Sequence, residues 1–175
     1  MHGTLVVAMI TDLVQIRRLG ESKRDENERL RAHLKRHTYV ERKLKKIAEG
    51  VEASIDCTTC ANCCKVANVE PTERDVEKLA KFLRISREHF LRDYTMLDEA
   101  GDRILKRTKA GCVFLSGFDC MVYEARPRTC EYFPHVSKGE GRITTRMWEL
   151  IDRATYCPIV YNTLEAIKVE VEFQR

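Results

Sequence analysis

The sequence predicts an α-rich α+β fold, in which helices surround a small, irregular cysteine core with short β-hairpin elements. Three observations support this prediction. The chain has 175 residues, the size of one ordinary domain, and its 43% hydrophobic and 33% charged residues suit a globular protein with a charged surface. Apolar residues recur at helical spacing before residue 52, and eight cysteines follow from residue 57 onward.

The N-terminal third predicts a basic amphipathic helix. An apolar residue or histidine recurs every three or four positions from Leu30 to Val51, and no proline or glycine interrupts residues 21–49, so one helix can cover most of that range. Between Arg29 and Lys46 the sequence has eight basic residues and a single acidic one, Glu41. They are Arg29, Arg31, Lys35, Arg36, Arg42, Lys43, Lys45 and Lys46. We therefore predict two domains, a helical extension over 1–50 and a cysteine domain over 51–175.

Local signals predict three more helices and a set of short strands. Thr72, with Asp75 three residues later, predicts a capped helix start, and Ser86 predicts another. Pro158 suits the first turn of a last helix that runs to about Ile167. Short extended runs separated by glycines predict hairpin strands. They cover residues 103–108, 113–115 and 121–123.

The first cysteine cluster has the spacing of a metal-ligand motif. It reads C-x2-C-x2-C-C and contains Cys57, Cys60, Cys63 and Cys64. Two-residue gaps let sulfurs turn toward one point, which suits three corners of an iron–sulfur cube or one knuckle of a tetrahedral zinc site. Adjacent side chains diverge, so Cys64 either ligates a second centre, bridges two ions or faces away as a thiol.

Four further cysteines follow at wider gaps. They are Cys112, Cys120, Cys130 and Cys157. None of the four has another cysteine close by in the sequence, as each half of an ordinary zinc ribbon does. An isolated cysteine is often only a small buried side chain. Four of them downstream of a tight cluster favour metal ligation, and the Cys157–Pro158 pair is similar to the end of ferredoxin ligand runs. We predict all eight cysteines as metal ligands, which makes the core metal-stabilised.

These residues resemble the YkgJ-type CxxCxxCC cysteine-cluster family over about residues 55–160. The resemblance continues through the capped helix at Thr72, the segment 112–115 and the segment 120–134, CMVYEARPRTCEYFP. It implies a zinc- or iron-chelating domain, often labelled an iron–sulfur oxidoreductase, and a flagellin lysine methylating enzyme contains a related cluster. Two residues depart from the family pattern: Ala61 replaces the usual glycine after the second cysteine, and Glu131 replaces the common arginine after Cys130.

Arg126 and the basic helix are the other candidates for function. Arg126 lies between two cysteines, and we predict it as a cofactor-binding residue whose guanidinium offsets thiolate charge or binds an anionic substrate. A structural arginine that donates to loop carbonyls is the alternative. The basic helix is either a solvated face or a docking surface for an acidic protein, RNA or an anionic membrane.

The predicted function is to hold one or two thiolate-ligated centres, with a [4Fe–4S] iron–sulfur cluster favoured over zinc. Electron transfer, redox sensing or an accessory role in protein modification follows, with an unknown redox or protein partner and with enzyme activity left open. The alternative is a zinc-stapled interaction module that docks through the basic helix. The apolar start, Leu5 to Ile10, is too short to span a bilayer and is no export signal. We therefore expect the cytoplasm, where thiols bind metal rather than pair.

Overall fold

The computed structural model describes residues 9–56, 59–138 and 141–174. These residues contain nine α-helices and six short strands, so the α-rich α+β class is confirmed. The helices are α1 Leu13–Ser22, α2 Arg24–Arg36, α3 Glu41–Ala53, α4 Asn62–Val66, α5 Glu73–Leu83, α6 Arg87–Tyr94, α7 Arg128–Tyr132, α8 Ile143–Arg153 and α9 Pro158–Glu170. The strands are β1 Thr95–Leu97, β2 Arg103–Leu105, β3 Arg107–Thr108, β4 Gly111–Cys112, β5 Leu115–Ser116 and β6 Asp119–Cys120.

Contacts divide the chain into two compact units. We call the described residues of 1–56 and 134–175 the helical unit, and those of 57–133 the cysteine unit. This division differs from the predicted boundary at residue 50. The reason is that α2 and α3 pack against α8 and α9, which come from the far end of the chain.

The helical unit is built on an apolar core. Four residues of the predicted stripe are buried, namely Leu30, Leu34, Leu44 and Val51, and they meet buried residues of α8 and α9. The single long helix is wrong, because the backbone is extended at His37 and Val40 and separates α2 from α3. Thr38 and Val40 are β-branched residues, which favour extended backbone over helix.

A buried ionic network lies within the same unit. The Lys168 ammonium is almost fully buried and lies 2.6 Å from Oε1 of both Glu165 and Glu26. Lys23 also donates to Glu165. Burial by itself raises the pKa of the Glu165 carboxyl, but the hydrogen bonds from Lys168 and Lys23 hold that pKa below its ordinary value. The network therefore depends on charges that compensate each other within a nonpolar core.

The described residues of the cysteine unit form four helices, α4 to α7, and three small hairpins. The strands pair in antiparallel fashion as β1–β2, β3–β4 and β5–β6. The predicted helix starts are confirmed: Thr72 and Asp75 form a capping box on α5, and Ser86 caps α6. Helices and hairpins enclose one apolar cluster. It contains Val76, Leu79, Ala80, Phe90, Leu105, Phe114, Val122 and Ala125.

Four helices and the strand limits differ from the sequence prediction. Helices α1, α4, α7 and α8 were not predicted, and the strands are two or three residues long with limits shifted from the predicted runs. The start of α9 at Pro158 is confirmed. In the part of the chain that the structure describes, every helix is too short or too polar to cross a membrane.

Candidate metal centre

The short helix α4 carries Cys63 and Cys64 in its first turn. Ala61 precedes it in the left-handed conformation, with φ 49° and ψ 15°, and its side chain is buried. A left-handed backbone favours glycine, which gives a physical reason why glycine is usual at this position in the family that the sequence resembles. The sulfurs of Cys63 and Cys64 lie 3.9 Å apart. The two side chains therefore do not diverge fully.

The β3–β4 hairpin brings Cys112 against this helix. Gly111 has φ 127°, and a Cβ atom added there would lie 2.6 Å from the Cys64 carbonyl oxygen and 2.8 Å from the Lys65 Cα. Only glycine permits so close an approach, since any side chain would overlap the backbone of α4. The residue before Cys112 thus sets the distance between two cysteine-bearing segments.

Arg107 links the β3–β4 hairpin to the carboxyl end of α4 through hydrogen bonds. Its guanidinium donates to the carbonyl of Ala67 at 2.7 Å and also to the carbonyl of Lys65. These carbonyls lack helical partners at a helix end, so the arginine satisfies them and its charge complements the helix dipole. Arg107 is paired with Cys112 in the strand register.

Two further thiols of the cysteine unit come from β6 and α7. Cys120 pairs with Leu115 in the β5–β6 hairpin. Cys130 lies in α7, whose first residue, Arg128, donates its backbone N–H to Asp75 Oδ1 at 3.1 Å. The other carboxylate oxygen of Asp75 accepts from the Thr72 backbone and hydroxyl. Asp75 is therefore a capping residue that also positions the helix of Cys130.

Four thiols from four elements influence one another electrostatically. They are Cys64, Cys112, Cys120 and Cys130. Burial raises the pKa of Cys130 to about 12, and the charges of the other three thiols add to this rise. Burial also raises the pKa of Cys112 and of Cys120, and in both cases Cys64 adds to the effect.

The pKa of Cys64 is shifted in the opposite direction, below its ordinary value. The hydrogen bond with Cys63, together with the charges of Arg107 and Arg126, lowers the pKa of Cys64 to about 7 in spite of burial. The Arg126 guanidinium also acts on Cys120 and Cys130, and it stacks 3.8 Å from the centre of the Tyr123 ring. Arg126 thus lies where its charge offsets that of the thiolates.

Three further cysteines were predicted as ligands, namely Cys57, Cys60 and Cys157. Cys60 is half-buried in the turn before Ala61, and Cys57 lies outside the described residues. Cys157 belongs to the helical unit, where it is buried at the start of α9. Across the ranges 9–56, 59–138 and 141–174, no three His, Cys, Asp or Glu side chains are arranged to hold a metal ion.

The donor set nevertheless has the chemistry of a thiolate metal site. Cys60, Cys64, Cys112, Cys120 and Cys130 are free thiols. Sulfur donors select zinc and iron–sulfur clusters. Burial and the charges of the neighbouring thiols both disfavour the ionised form of Cys112, Cys120 and Cys130. A thiol must lose its proton to ligate a metal, and the charge of a bound cation would stabilise the resulting thiolates.

Sequence reasoning missed Arg107 and the role of Gly111. Arg107 is a lone arginine in a strand, and no spacing relates it to the cysteines. Gly111 had a signal, since a glycine immediately before a ligand-type cysteine indicates a close backbone approach.

Comparison with known proteins agrees with the cysteine pattern. The CxxCxxCC family model, described as "Putative zinc- or iron-chelating domain", matches residues 56–158. The chain is also 30% identical over 122 residues to the uncharacterized protein MJ0661 of Methanocaldococcus jannaschii. That match covers 67% of this chain and 63% of the archaeal protein, so it spans less than two thirds of the relative. No solved structure gives a significant match.

Proposed function

The chain belongs to the CxxCxxCC family, and we propose that it holds one or two thiolate-ligated metal centres, an iron–sulfur cluster being favoured over zinc. The observation that carries this proposal is the electrostatic coupling of Cys64, Cys112, Cys120 and Cys130, which come from four separate elements. Electron transfer, redox sensing or an accessory role in protein modification are the corresponding activities.

We assign these four thiols to one centre. Cys64 acts on each of the other three, and four thiolates complete either a [4Fe–4S] cluster or a tetrahedral zinc site. Cys57, Cys60 and Cys63 keep the two-residue spacing that predicts a second set of sulfurs. The two sets adjoin, because the sulfur of Cys63 lies 3.9 Å from that of Cys64.

Residues of the chain itself would stabilise and tune this centre. An iron–sulfur cluster bound there would take up and release single electrons, at a potential set by local charge, hydrogen bonds and exposure. Arg107 and Arg126 place two positive charges beside Cys64, which favours its thiolate. Asp75 holds the start of α7 and thereby orients Cys130.

If the bound metal is zinc, the same cysteine ligands imply a different function. Zinc carries no redox chemistry, and a closed tetrahedral site is structural. The chain would then be an interaction module, with its exposed basic residues of α2 and α3 as the docking surface for an acidic partner or RNA. This alternative makes metal identity the decisive measurement.

Elemental analysis after anaerobic purification tests the proposal. Iron with acid-labile sulfide and broad visible absorbance supports the iron–sulfur version. Zinc in a colourless protein supports the alternative, and a fully folded protein with neither metal overturns both.

Serine substitutions test the grouping of the thiols. With two centres, Cys130→Ser and Cys63→Ser each remove only part of the metal, because each thiol serves a different set. Complete loss in both variants would mean one coupled cluster. Cys157→Ser tests the ligand predicted in the helical unit, where metal loss is expected, and circular dichroism confirms that each variant folds.

A further inference from the structure

A basic groove lies within the helical unit, beside α2. Its cavity has a volume of about 690 Å³. Arg29, His33 and Arg36 line it from α2, and Glu172 and Phe173 line it from the residues after α9. The three basic side chains are four and three residues apart, so they share one helix face, and the two arginines are about 10 Å apart along the axis.

The two guanidinium groups of this groove are available for a ligand. Arg29 and Arg36 are exposed, and within the described part of the chain neither forms an ion pair. Arg31, on the same helix, differs because it pairs with Glu28. Burial lowers the pKa of His33, and the positive charges of His37 and Arg36 lower it further. An anion would relieve this concentration of positive charge.

Aromatic rings form the second wall of the groove. The Phe173 ring meets His33 edge-on, with centroids 5.5 Å apart, and the rings of His33 and His37 lie 4.5 Å apart. Nε2 of His33 is 2.7 Å from the Tyr39 hydroxyl, which fixes the imidazole. Phe173 is held in turn by its backbone N–H, which donates to the Lys168 carbonyl at 2.9 Å.

Glu172 adds a carboxylate to the lining of the groove. Its backbone is left-handed, with φ 49°, at a helix end where glycine is usual. A carboxylate repels a second anion but accepts hydrogen bonds from hydroxyl or amino groups. The lining of the groove thus combines two guanidinium groups, aromatic rings and a carboxylate.

We propose that this groove binds a nucleotide, with the phosphate on Arg29 and Arg36, the base against Phe173 and His33, and a ribose hydroxyl or base amino group on Glu172. Arginine binds phosphate in a bidentate manner, and aromatic side chains stack on any base. The volume lies within the range of small-molecule sites. The nucleotide is either free or part of a single-stranded RNA, and the site is independent of the metal centre.

Titration with defined probes tests the proposal. Calorimetry with AMP and ATP, and fluorescence anisotropy with a labelled single-stranded RNA, measure the two sources separately. Saturable binding of the mononucleotides indicates a free nucleotide, and binding of the RNA alone indicates a nucleotide within a strand. Both results support the site, provided that inorganic phosphate binds more weakly.

Matched charge variants distinguish the groove from general basicity. R29Q/R36Q should weaken binding by at least about tenfold, since two charge-assisted contacts are lost. R17Q/R18Q removes the same charge from exposed arginines of α1 that do not line the groove, and it should leave the affinity within about twofold.

Phe173→Ala tests the aromatic wall and should weaken nucleotide binding while leaving the affinity for inorganic phosphate unchanged. Equal loss in both charge variants, equal affinity for phosphate and AMP, or no binding of any probe would overturn the proposal. Metal content, measured on the same samples, should stay unchanged throughout.

Discussion

The helical unit and the cysteine unit are stabilised in different ways. Five helices of eight or more residues bury an apolar core in the helical unit, including Leu30, Met147 and Leu164. The cysteine unit has only α5 and α6 at that length, and its strands have two or three residues. Strands and helices so short are unstable alone. The elements that carry its thiols therefore depend on tertiary contacts and, in our proposal, on metal.

Metal removal should produce the largest difference in stability between the two units. Metal binding to thiols that are distant in sequence is coupled to folding, so a chelator should unfold the cysteine unit. The helical unit should keep its structure, because its core is apolar. Hydrogen exchange measures this directly, as amides of residues 59–133 should lose protection while those of α2, α3, α8 and α9 keep it. Unchanged protection throughout would contradict a stabilising metal.

Gly111→Ala should disrupt the cysteine unit without touching a thiol. The added Cβ overlaps the backbone of α4, and the positive φ is strained for alanine. Together these effects should destabilise the unit by about 4 kcal/mol and lower its metal content. Gly101→Ala is the matched control, because Gly101 has φ 88° but open space around it. Gly101→Ala should destabilise the cysteine unit by only about 1 kcal/mol, because only the backbone conformation is strained. Equal effects in denaturant titrations would refute the role of close approach.

Lys168→Met should weaken the helical unit alone. The substitution leaves the carboxylates of Glu26 and Glu165 in a buried site without the shared ammonium, which should cost about 3 kcal/mol. Lys43→Met removes an exposed partner of Glu170 and should cost less than about 1 kcal/mol. Urea unfolding measures both, and metal content reports on the cysteine unit. Metal loss in Lys168→Met would show that the two units are not independent.

The sequence predicted the elements whose signals are local. The Thr72–Asp75 capping box, the Ser86 cap and Pro158 at the start of α9 are each set by one or two residues, and all three are confirmed. Helix α8 had a usable signal that was missed, since Ile143, Met147, Leu150 and Ile151 have helical spacing and are buried.

The arrangement of the site was not predictable in the same way. The association of Cys64 with Cys112 depends on the positive φ of Gly111 and on hydrogen bonds from Arg107 to carbonyls about 40 residues earlier. Such contacts form only after the hairpin packs on α4, so no pattern of spacings reports them. The break at His37 is similar, because a helical period continues through it in the sequence.

Ala61→Gly should have the smallest effect and tests how α4 begins. Glycine relieves the left-handed strain, worth about 1 kcal/mol, but it loses a buried methyl group and is more flexible when unfolded. These contributions nearly cancel, so stability should change by no more than a few tenths of a kcal/mol, with metal content unchanged. Ala61→Val is the informative contrast, since a β-branched residue fits this conformation poorly and should cost about 2 kcal/mol or more. A neutral Ala61→Val would mean that the turn between Cys60 and Cys63 does not need a left-handed residue.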